Sequence, residues 1–310
     1  MVSKIRDPGV CVVVPLLNEA RYLRQSLDSL LAQEYENLDI CVFDGGSTDG
    51  TLEILREYPV SVVVERGLGQ MAAINRGWRE TSAEFVTWWA GDDTYYPRAI
   101  RRLATELRAH PDVCLVHGDI DVIDEDGVVT RHVSPGNVQL PGLIDFTLKI
   151  APQATLIRRS ALEKSGMMDE GRRLAADWDL FLRLAQYYST LYVPFTAATR
   201  RMHSGSEDAL DLEGGLLACA DVMDTFFRRP DLSQEQRRLK RRSISTSRLN
   251  LSCYYGGCGR WVDAVKALAE VALAQPWAPF STKRGLKAIF HLLSPAAFRK
   301  QQARGEGAKV

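Results

Sequence analysis

The chain has 310 residues, of which 39 are Lys or Arg and 39 are Asp or Glu, so its formal net charge is zero. Hydrophobic residues make up 45% of the chain and charged residues 25%, which excludes wholesale disorder and is typical of a folded globular protein. A neutral balance argues against a dedicated nucleic-acid-binding protein, which is normally basic. The sequence contains no run of about 18 consecutive apolar residues, so it predicts no membrane-spanning helix.

The six cysteines predict a cytoplasmic protein with reduced thiols. No two of them have the CxxC spacing of a zinc or redox site. Cys11, Cys41 and Cys114 lie inside apolar, strand-like runs, where a free thiol behaves as a small buried hydrophobe.

The first part of the chain alternates between short apolar runs and segments with helical spacing. Residues 10–16 form a continuous β-branched run, which predicts a strand buried on both faces, and residues 20–32 place leucines at helical spacing. The same alternation predicts strands at 38–43, 60–65, 84–89 and 113–117, and helices at 51–58, 70–81 and 97–109. Such βαβ units predict an α/β, Rossmann-like fold with a mostly parallel central sheet and helices on both faces.

Beyond residue 118 the alternation fades. Residues 124–127 (DEDG) predict the turn of a hairpin between strands at 120–123 and 128–133. Further strands are predicted at 154–158 and 191–193, and a helix at 178–188. From about residue 207 only helices are predicted, so we expect a first domain at 1–206 and a helical C-terminal region at 207–310. Within that region, residues 228–248 hold eight basic and two acidic residues. This stretch is either a surface for anionic lipid or a solvated helical face.

Polar residues follow four of the predicted strands. Pro15, Asn18 and Glu19 follow the first strand, and the loop DGGSTDG (44–50) follows the second. Residues 67–75 follow the third strand, and Gly-Asp-Asp (91–93) follows the fourth. Because ligands of open parallel sheets bind beyond the carboxyl ends of the strands, these four clusters together predict a binding site.

Asp92 and Asp93 are adjacent carboxylates at the end of an apolar run. A hard divalent cation would relieve their repulsion, and Mg²⁺ is held in this way by one or two carboxylates together with substrate phosphates. The alternative is a helix cap, because Asp93 lies only shortly before Pro97, where we expect the next helix to begin.

The 44–50 loop does not match two well-known ligand loops. Counted from Asp44, positions six and twelve hold Asp and Leu instead of the Gly and Glu of a calcium loop. Neither a GxxxxGK[ST] nor a GxGxxG motif follows the first strand. What remains is a carboxylate at a strand tip, Asp44, which can accept hydrogen bonds from a base or ribose. Beside it, Ser47 or Thr48 can cap the following helix.

Two further positions carry chemistry that the residues alone leave open. Asp177 and Asp179 stand at the start of a predicted helix, where the helix dipole favours acidic residues in any case. A carboxylate held there can also serve as a general base. His203 follows a predicted strand and is either a ligand of metal or phosphate or a structural residue.

Taken together, these motifs resemble the inverting glycosyltransferases of family 2, which have the GT-A fold. The resemblance covers residues 10 to 206 and rests on VVVPLLNEARYLRQSLDSLLAQEYENLDICVFDGGSTDGT (12–51), ERGLGQMAAINRGW (65–78), WWAGDDTYYP (88–97), GDIDVIDEDG (118–127), PQATLIRRSALEKSGMMDE (152–170), ADWDLFLRL (176–184) and RMHSGS (201–206). One departure is Ala90, where related sequences often carry Asn. The residues after 206 match no motif of the family.

The resemblance implies a role for each matching position. Asp177 would be the catalytic base, and Asp93 with His203 would bind Mg²⁺ or Mn²⁺. The nucleotide and donor pocket would be lined by Pro15, Asn18, Glu19, Asp44, Gly45, Gln70, Asn75 and Asp92.

The resemblance also implies a reaction. A sugar would pass from a nucleotide-diphosphate donor, by family habit a UDP-sugar, to a hydroxyl of a saccharide or lipid-linked acceptor, with inversion at the anomeric carbon. The pathway would be cell-surface polysaccharide or glycolipid synthesis. The protein would lie in the cytoplasm, with residues 228–248 as a peripheral contact to the inner membrane. The oligomeric state stays open.

Two other classes compete with this interpretation. A sugar nucleotidyltransferase shares the α/β sheet and the metal, but it would carry a glycine-rich basic loop where this chain has PLLNE (15–19). A non-catalytic nucleotide-sugar-binding protein would have lost Asp93 or Asp177, and both are present.

Overall fold

The computed structural model describes residues 7–145, 150–205, 211–278 and 283–293. By its internal contacts the chain divides into two units, Met1–Leu140 with Leu148–Ala209, and Pro141–Thr147 with Leu210–Val310. The second unit therefore includes the short segment Pro141–Thr147, which the sequence analysis placed in the first domain. The two units are described separately below.

The first unit consists of a mixed sheet and its helices. The strands are β1 (Val10–Leu16), β2 (Leu38–Asp44), β3 (Ser61–Val64), β4 (Phe85–Trp88), β5 (Val113–Ile123), β6 (Val129–Val133), β7 (Thr155–Arg158) and β8 (Ser189–Arg201). The helices are α1 (Leu23–Leu31), α2 (Thr51–Leu55), α3 (Gln70–Glu80), α4 (Ala99–Ala109), α6 (Ala161–Ser165) and α7 (Ala176–Tyr187), with α5 (Leu140–Ile144) at the boundary between the units.

The strands run in the order β3-β2-β1-β4-β7-β5-β6, and β8 pairs with β5. The pairs β1/β2, β1/β4, β2/β3 and β5/β8 are parallel, while β7 and β6 join their neighbours antiparallel. The predicted α/β fold with a mostly parallel central sheet is therefore confirmed. Because β1 to β4 all run in one direction, their carboxyl ends share one edge of the sheet.

The core explains why β1 is the most clearly predicted strand. Its side chains alternate between two buried faces. Val12 and Val14 join the hydrophobic cluster that contains the inner faces of α1 and α4, while Val13 lies against α3, where it contacts Gly77. Burial of each such side chain contributes about 1.5–3 kcal/mol, so an uninterrupted apolar run is favourable only at the centre of a sheet covered on both faces.

Three predicted elements differ from the structure. The strands predicted at 113–117 and 120–123 are one strand, β5. Gly118 lets β8 lie close beside β5 at this point, because a Cβ on residue 118 would be only 2.8 Å from the Phe195 carbonyl oxygen of β8. Strand β8 has 13 residues, far more than the predicted 191–193. Helix α4 begins at Ala99 and not at Pro97, since Arg98 has a left-handed φ of 62°.

The described residues of the second unit are helical after residue 211 and contain no strand, as predicted. The helices are α8 (Leu212–Phe226), α9 (Gln234–Arg238), α10 (Lys240–Gly257), α11 (Trp261–Ala274) and α12 (Lys283–Leu293). The predicted domain boundary at 206/207 lies outside the described residues and stays a prediction. Across the described part of the chain, no helix is both long and apolar enough to cross a membrane.

Candidate active site

The loops after β1 and β2 are tied together by side-chain hydrogen bonds. The Asn18 N–H donates to Ser47 Oγ over 2.8 Å, and Asn18 Oδ1 accepts from the Thr48 N–H over 2.9 Å. The Glu19 N–H donates to Thr51 Oγ1 over 2.9 Å. Asn18 has a left-handed φ of 59°, which Asn adopts more readily than most residues. The Asn-Glu pair therefore fixes the shape of this corner of the sheet edge.

Asp44 lies at the end of β2 and is fully buried. Its Oδ1 accepts from the N–H groups of Gly46 and Ser47 over 2.9 and 2.8 Å, and its Oδ2 accepts from Ser47 Oγ over 2.6 Å. The carboxylate thus holds the turn after β2. The Ser47 hydroxyl, predicted as a possible helix cap, is used here instead, and α2 begins after Gly50. The nucleotide contact of Asp44 stays a prediction.

Three further predicted donor residues lie at the same edge. Gly45 donates its N–H to the Leu16 carbonyl over 2.9 Å and accepts from the Gly67 N–H over 3.2 Å, so it joins the loops after β1, β2 and β3. Pro15 is half-buried in β1. Gln70 is exposed as the first residue of α3.

Asn75 is turned into the protein. Its side-chain amide donates to the Met168 carbonyl over 2.9 Å and to Glu170 Oε1 over 2.8 Å, and its Oδ1 accepts from the Met168 N–H over 2.9 Å. These three bonds occupy the amide, so the structure gives Asn75 a positioning role for the segment that leads to α7. Its predicted donor contact stays a prediction.

Asp93 is buried, and the ionised form of its carboxyl group is unfavourable there. It is 2% exposed, and its Oδ1 accepts from the Arg201 N–H over 2.8 Å. Burial and the neighbouring Asp92 charge raise the pKa of Asp93 to about 7, against the opposing effect of hydrogen bonds from Arg201 and Gln153. The helix-cap alternative does not hold, because α4 begins at Ala99.

Glu19 brings a third carboxylate to the same place. Burial and the charges of Asp92 and Asp49 raise its pKa to about 7. Gly91 allows this approach, since a Cβ there would lie 3.0 Å from Glu19 Cβ and 2.7 Å from Leu16 Cδ2. Two carboxyls with raised pKa values beside Asp92 mean that full ionisation is unfavourable here without a cation.

His203 lies against this acidic cluster. Its Nε2 is 3.2 Å from Asp92 Oδ2, and its Nδ1 accepts from the Gly205 N–H over 3.1 Å. Because Nδ1 is the acceptor, we assign the proton of the neutral ring to Nε2, which donates to Asp92. The ring also lies against Tyr22, with centroids 5.3 Å apart.

The donor set at this point fits a divalent cation. Among the described residues no three or more His, Cys, Asp or Glu side chains form a group that could hold a metal ion by itself. Asp93 and Asp92 offer carboxylate oxygens, and the unfavourable ionisation of Asp93 is the electrostatic condition that a cation relieves. His203 could join them as a ligand through Nε2 only after its proton moved to Nδ1, which would end the bond from the Gly205 N–H. Carboxylates suit Mg²⁺ and Mn²⁺, and an incomplete protein shell leaves room for phosphate oxygens as further ligands.

Arg201 is the functional residue that sequence reasoning missed. It is 3% exposed, and its guanidinium donates to the carbonyls of Asp92, Asp124 and Glu125 over 3.0, 3.1 and 3.3 Å, and to Gln25 Oε1 over 2.9 Å. It therefore clamps the Asp92–Asp93 turn, the β5–β6 turn and α1. The sequence could have indicated Arg201, because it stands in the segment RMH (201–203), but only His203 of that segment was predicted as a site residue.

The two acidic residues at the start of α7 have different roles. Asp179 forms a buried ion pair with Arg183, with 2.8 Å between Oδ2 and Nη2, and Arg183 also donates to the Ser165 and Met167 carbonyls. Asp177 is half-buried, and its Oδ1 accepts from the Trp178 N–H over 2.8 Å. Asp179 is thus a structural residue, which leaves Asp177 as the candidate base of this pair.

The fold places the protein in a known structural class. The structure of TarS residues 1–349 from S. aureus, in complex with UDP-GlcNAc, matches with a TM-score of 0.68 at 17% identity, over 97% of this chain and 93% of that one. The mannosyltransferase PcManGT from Pyrobaculum calidifontis, in complex with GDP-Man and Mn²⁺, matches with a TM-score of 0.61 at 19% identity, over 97% and 84%. These likenesses show the GT-A fold that was predicted.

The family follows from the sequence comparison. The model of glycosyl transferase family 2 matches residues 11–166, just over half of the chain, so the chain belongs to that family and the predicted resemblance is confirmed. An uncharacterised glycosyltransferase of Rickettsia typhi is 30% identical over 195 residues. That match covers 59% of this chain and 61% of the relative, which is less than two thirds of the relative's length.

Proposed function

We propose that this protein is an inverting glycosyltransferase that transfers a sugar from a nucleoside-diphosphate sugar to a hydroxyl group with the help of a divalent cation. The observation that carries the proposal is the convergence of Glu19, Asp92 and Asp93 at the carboxyl edge of parallel strands. Burial and mutual repulsion raise pKa values in this cluster, which a bound cation would reverse. Membership of glycosyltransferase family 2 supports the same reaction class.

The donor is proposed to be a UDP-sugar. TarS is described with UDP-GlcNAc, and PcManGT with GDP-Man and Mn²⁺, so both have a nucleoside-diphosphate sugar in common. Both likenesses cover 97% of this chain, and the higher TM-score of TarS, 0.68 against 0.61, is what favours uridine in this proposal. Asn18, Asp44, Gly45 and Gln70 lie at the edge where the nucleotide would bind.

The proposed mechanism assigns a task to each residue. Asp93 and His203 would hold Mg²⁺ or Mn²⁺, which supplies Lewis-acid stabilisation of the charge that develops on the diphosphate. Asp177 accepts the proton of the acceptor hydroxyl as that oxygen attacks the anomeric carbon. A single displacement from the opposite side inverts the anomeric centre. General-base assistance of this kind contributes about 10²–10⁴ in rate.

The acceptor is proposed to be a saccharide or a lipid-linked saccharide, in the synthesis of a cell-surface polysaccharide or glycolipid on the cytoplasmic side of the membrane. The contact of residues 228–248 with the inner membrane stays a prediction from the sequence. Part of the charge in that stretch is already compensated within the protein. Arg248 pairs with Asp224 and Glu270, and Arg242 pairs with Asp145.

Calorimetric titration tests the nucleotide and the metal together. UDP, GDP and dTDP are each titrated with and without Mn²⁺ into the wild type and into Asp93→Ala. We expect UDP to bind at least about tenfold more tightly with Mn²⁺, because a cation held by Asp93 would offset the negative charge of the diphosphate, and Asp93→Ala to lose this enhancement. If no nucleotide binds under any condition, the proposed donor site is wrong.

A second experiment separates catalysis from binding. If UDP binds but product analysis with UDP-sugars and saccharide acceptors detects no transfer, the non-catalytic binding protein becomes the better interpretation. If transfer occurs, NMR of the product reports the anomeric configuration, and retention of the donor's configuration would contradict the inverting mechanism.

A further inference from the structure

Helix α11 is rich in apolar residues, and several of them are exposed along one side of it. Its inner side is buried through Ala264, Ala267 and Val271. The outer side consists of Val262, Val265, Lys266, Ala269, Ala272 and Leu273, with the lysine as its one charged residue. A helix that faces water on one side normally carries polar residues there, and a helix that is apolar all round is normally buried.

The exposed apolar surface continues past the end of α11. Leu273 is 87% exposed, Trp277 is 78% exposed and Leu286 is 55% exposed. Leu273 continues the outer side of α11, and Trp277 follows it by four residues, while nearby Val271, Ala278 and Ala288 pack into one buried cluster. We call the outer side of α11 together with Trp277 and Leu286 the α11 patch. Exposed apolar patches of this kind mark interaction sites.

Cationic groups surround the α11 patch. Lys266, Lys283 and Lys287 are all exposed, and none of the three forms an ion pair with a described residue. The carboxylates on the border are neutralised within the protein, since Asp263 pairs with Arg260 and Glu270 pairs with Arg248. The patch is therefore apolar at its centre and positively charged around it.

We propose that the α11 patch docks the protein on the surface of an anionic lipid bilayer. Tryptophan favours the boundary between water and hydrocarbon, leucine and valine enter the acyl region, and lysines contact anionic headgroups. A second copy of the chain fits less well, because a two-fold contact would place the same three lysines against one another. The proposal does not depend on the transferase reaction.

The α11 patch differs from residues 228–248, which the sequence singled out for their charge. In that stretch Arg248 and Arg242 are paired with carboxylates, and no large apolar side chain there is exposed. Electrostatic attraction alone would give weak binding that salt removes. The α11 patch adds apolar burial, which persists at high salt.

Vesicle co-sedimentation of the full-length chain tests the proposal. The vesicles are phosphatidylcholine alone, and phosphatidylcholine mixed with phosphatidylglycerol. Val265→Asp is the test variant and Val129→Asp, on β6, is its matched control, because the two valines are 54% and 52% exposed. Arg241→Gln reports on the 228–248 stretch, and sedimentation velocity without lipid reports on self-association.

We expect the wild type to bind the mixed vesicles, Val265→Asp to reduce the bound-to-free ratio by about tenfold or more, and the two other variants to bind as the wild type does. Lys266→Gln should reduce binding to the mixed vesicles further than it reduces binding to phosphatidylcholine. The proposal is overturned if the wild type does not sediment with either vesicle. It is also overturned if Arg241→Gln, and not Val265→Asp, removes binding, or if Val265→Asp dissociates a dimer that excludes lipid.

Discussion

Replacement of Arg201 by lysine should impair both the fold and the acidic cluster, even though it keeps the positive charge. The guanidinium donates to three backbone carbonyls and to Gln25 Oε1 at a position that is 3% exposed. Lysine has three donors on a single nitrogen and does not reproduce the planar fork that reaches acceptors on three separate segments. The Asp92 carbonyl is then left without the donor that holds it.

The magnitude follows from those contacts. The Asp124 carbonyl also accepts from the Gly127 N–H, and Glu125 is exposed to water. A buried polar group that loses its partner costs about 1–3 kcal/mol, so the orphaned Asp92 carbonyl gives a loss of about 1–3 kcal/mol in the free energy of unfolding. The Asp92 carbonyl is one of the acceptors, and the Arg201 N–H holds Asp93. Displacement of this turn should weaken Mn²⁺-dependent nucleotide binding by about tenfold or more.

Urea unfolding and calorimetry measure the two effects. Arg102→Lys is a suitable control, because Arg102 is exposed and its hydrogen bond to the Pro194 carbonyl is long at 3.5 Å. We expect this control to stay within about 0.5 kcal/mol of the wild type. If Arg201→Lys is as stable as the wild type and binds the nucleotide with the same dependence on Mn²⁺, then only the charge of Arg201 matters and the clamp is refuted.

Three further predictions concern the same site. Asp177→Asn should leave nucleotide affinity nearly unchanged and lower the transfer rate by about two orders of magnitude or more, as measured by single-turnover kinetics, and near wild-type turnover would remove Asp177 from its role. Asn75→Ala should lower the free energy of unfolding in urea by about 2–4 kcal/mol, since it leaves both backbone groups of Met168 unpaired, and an unchanged midpoint would contradict this. Because the pKa of Asp93 is raised to about 7, its contribution to stability is fully present below its ordinary pKa and is lost as pH rises through 7. Metal-free protein should therefore lose at most about 3 kcal/mol between pH 5 and pH 8, Mn²⁺ should restore it, and in thermal unfolding the loss should be smaller in Asp93→Asn.

The sequence predicts those parts of the fold whose signal is local. Strand β1 is a continuous apolar run because both of its faces are covered. The sequence also predicts that the loops after β1 to β4 lie together, because parallel strands end at one edge of the sheet. Strand β8 could not be predicted over its full length. Pro194 and the threonines that follow interrupt the apolar pattern, and its pairing is set by β5, which lies far away in the sequence.

The same distinction applies to the site. Asp92 and Asp93 stand out as a pair of adjacent acids, and Asp44 stands out as a strand tip, so a local scan finds them. Asn75 donates to the Met168 carbonyl, 93 positions away along the chain, and Arg201 donates to the Asp92 carbonyl, 109 positions away. No local pattern indicates such partners, so only the folded chain shows that these two residues position the site.

The position of Arg201 also explains why the negative charge of Asp92 and Asp93 is not neutralised by this nearby arginine. Within the described residues the guanidinium of Arg201 forms no ion pair, because its donors are directed at carbonyls and at Gln25. It holds the turn in place without contacting the carboxylates of Asp92 and Asp93 through its side chain. Had it formed an ion pair with Asp93, that carboxyl would have a lowered pKa and little affinity left for a metal. Because Arg201 bonds to the backbone, it fixes the geometry of the turn and leaves the carboxylate charge available to a ligand. Unneutralised buried charge is unfavourable for the fold, and such local conflicts are expected at functional sites.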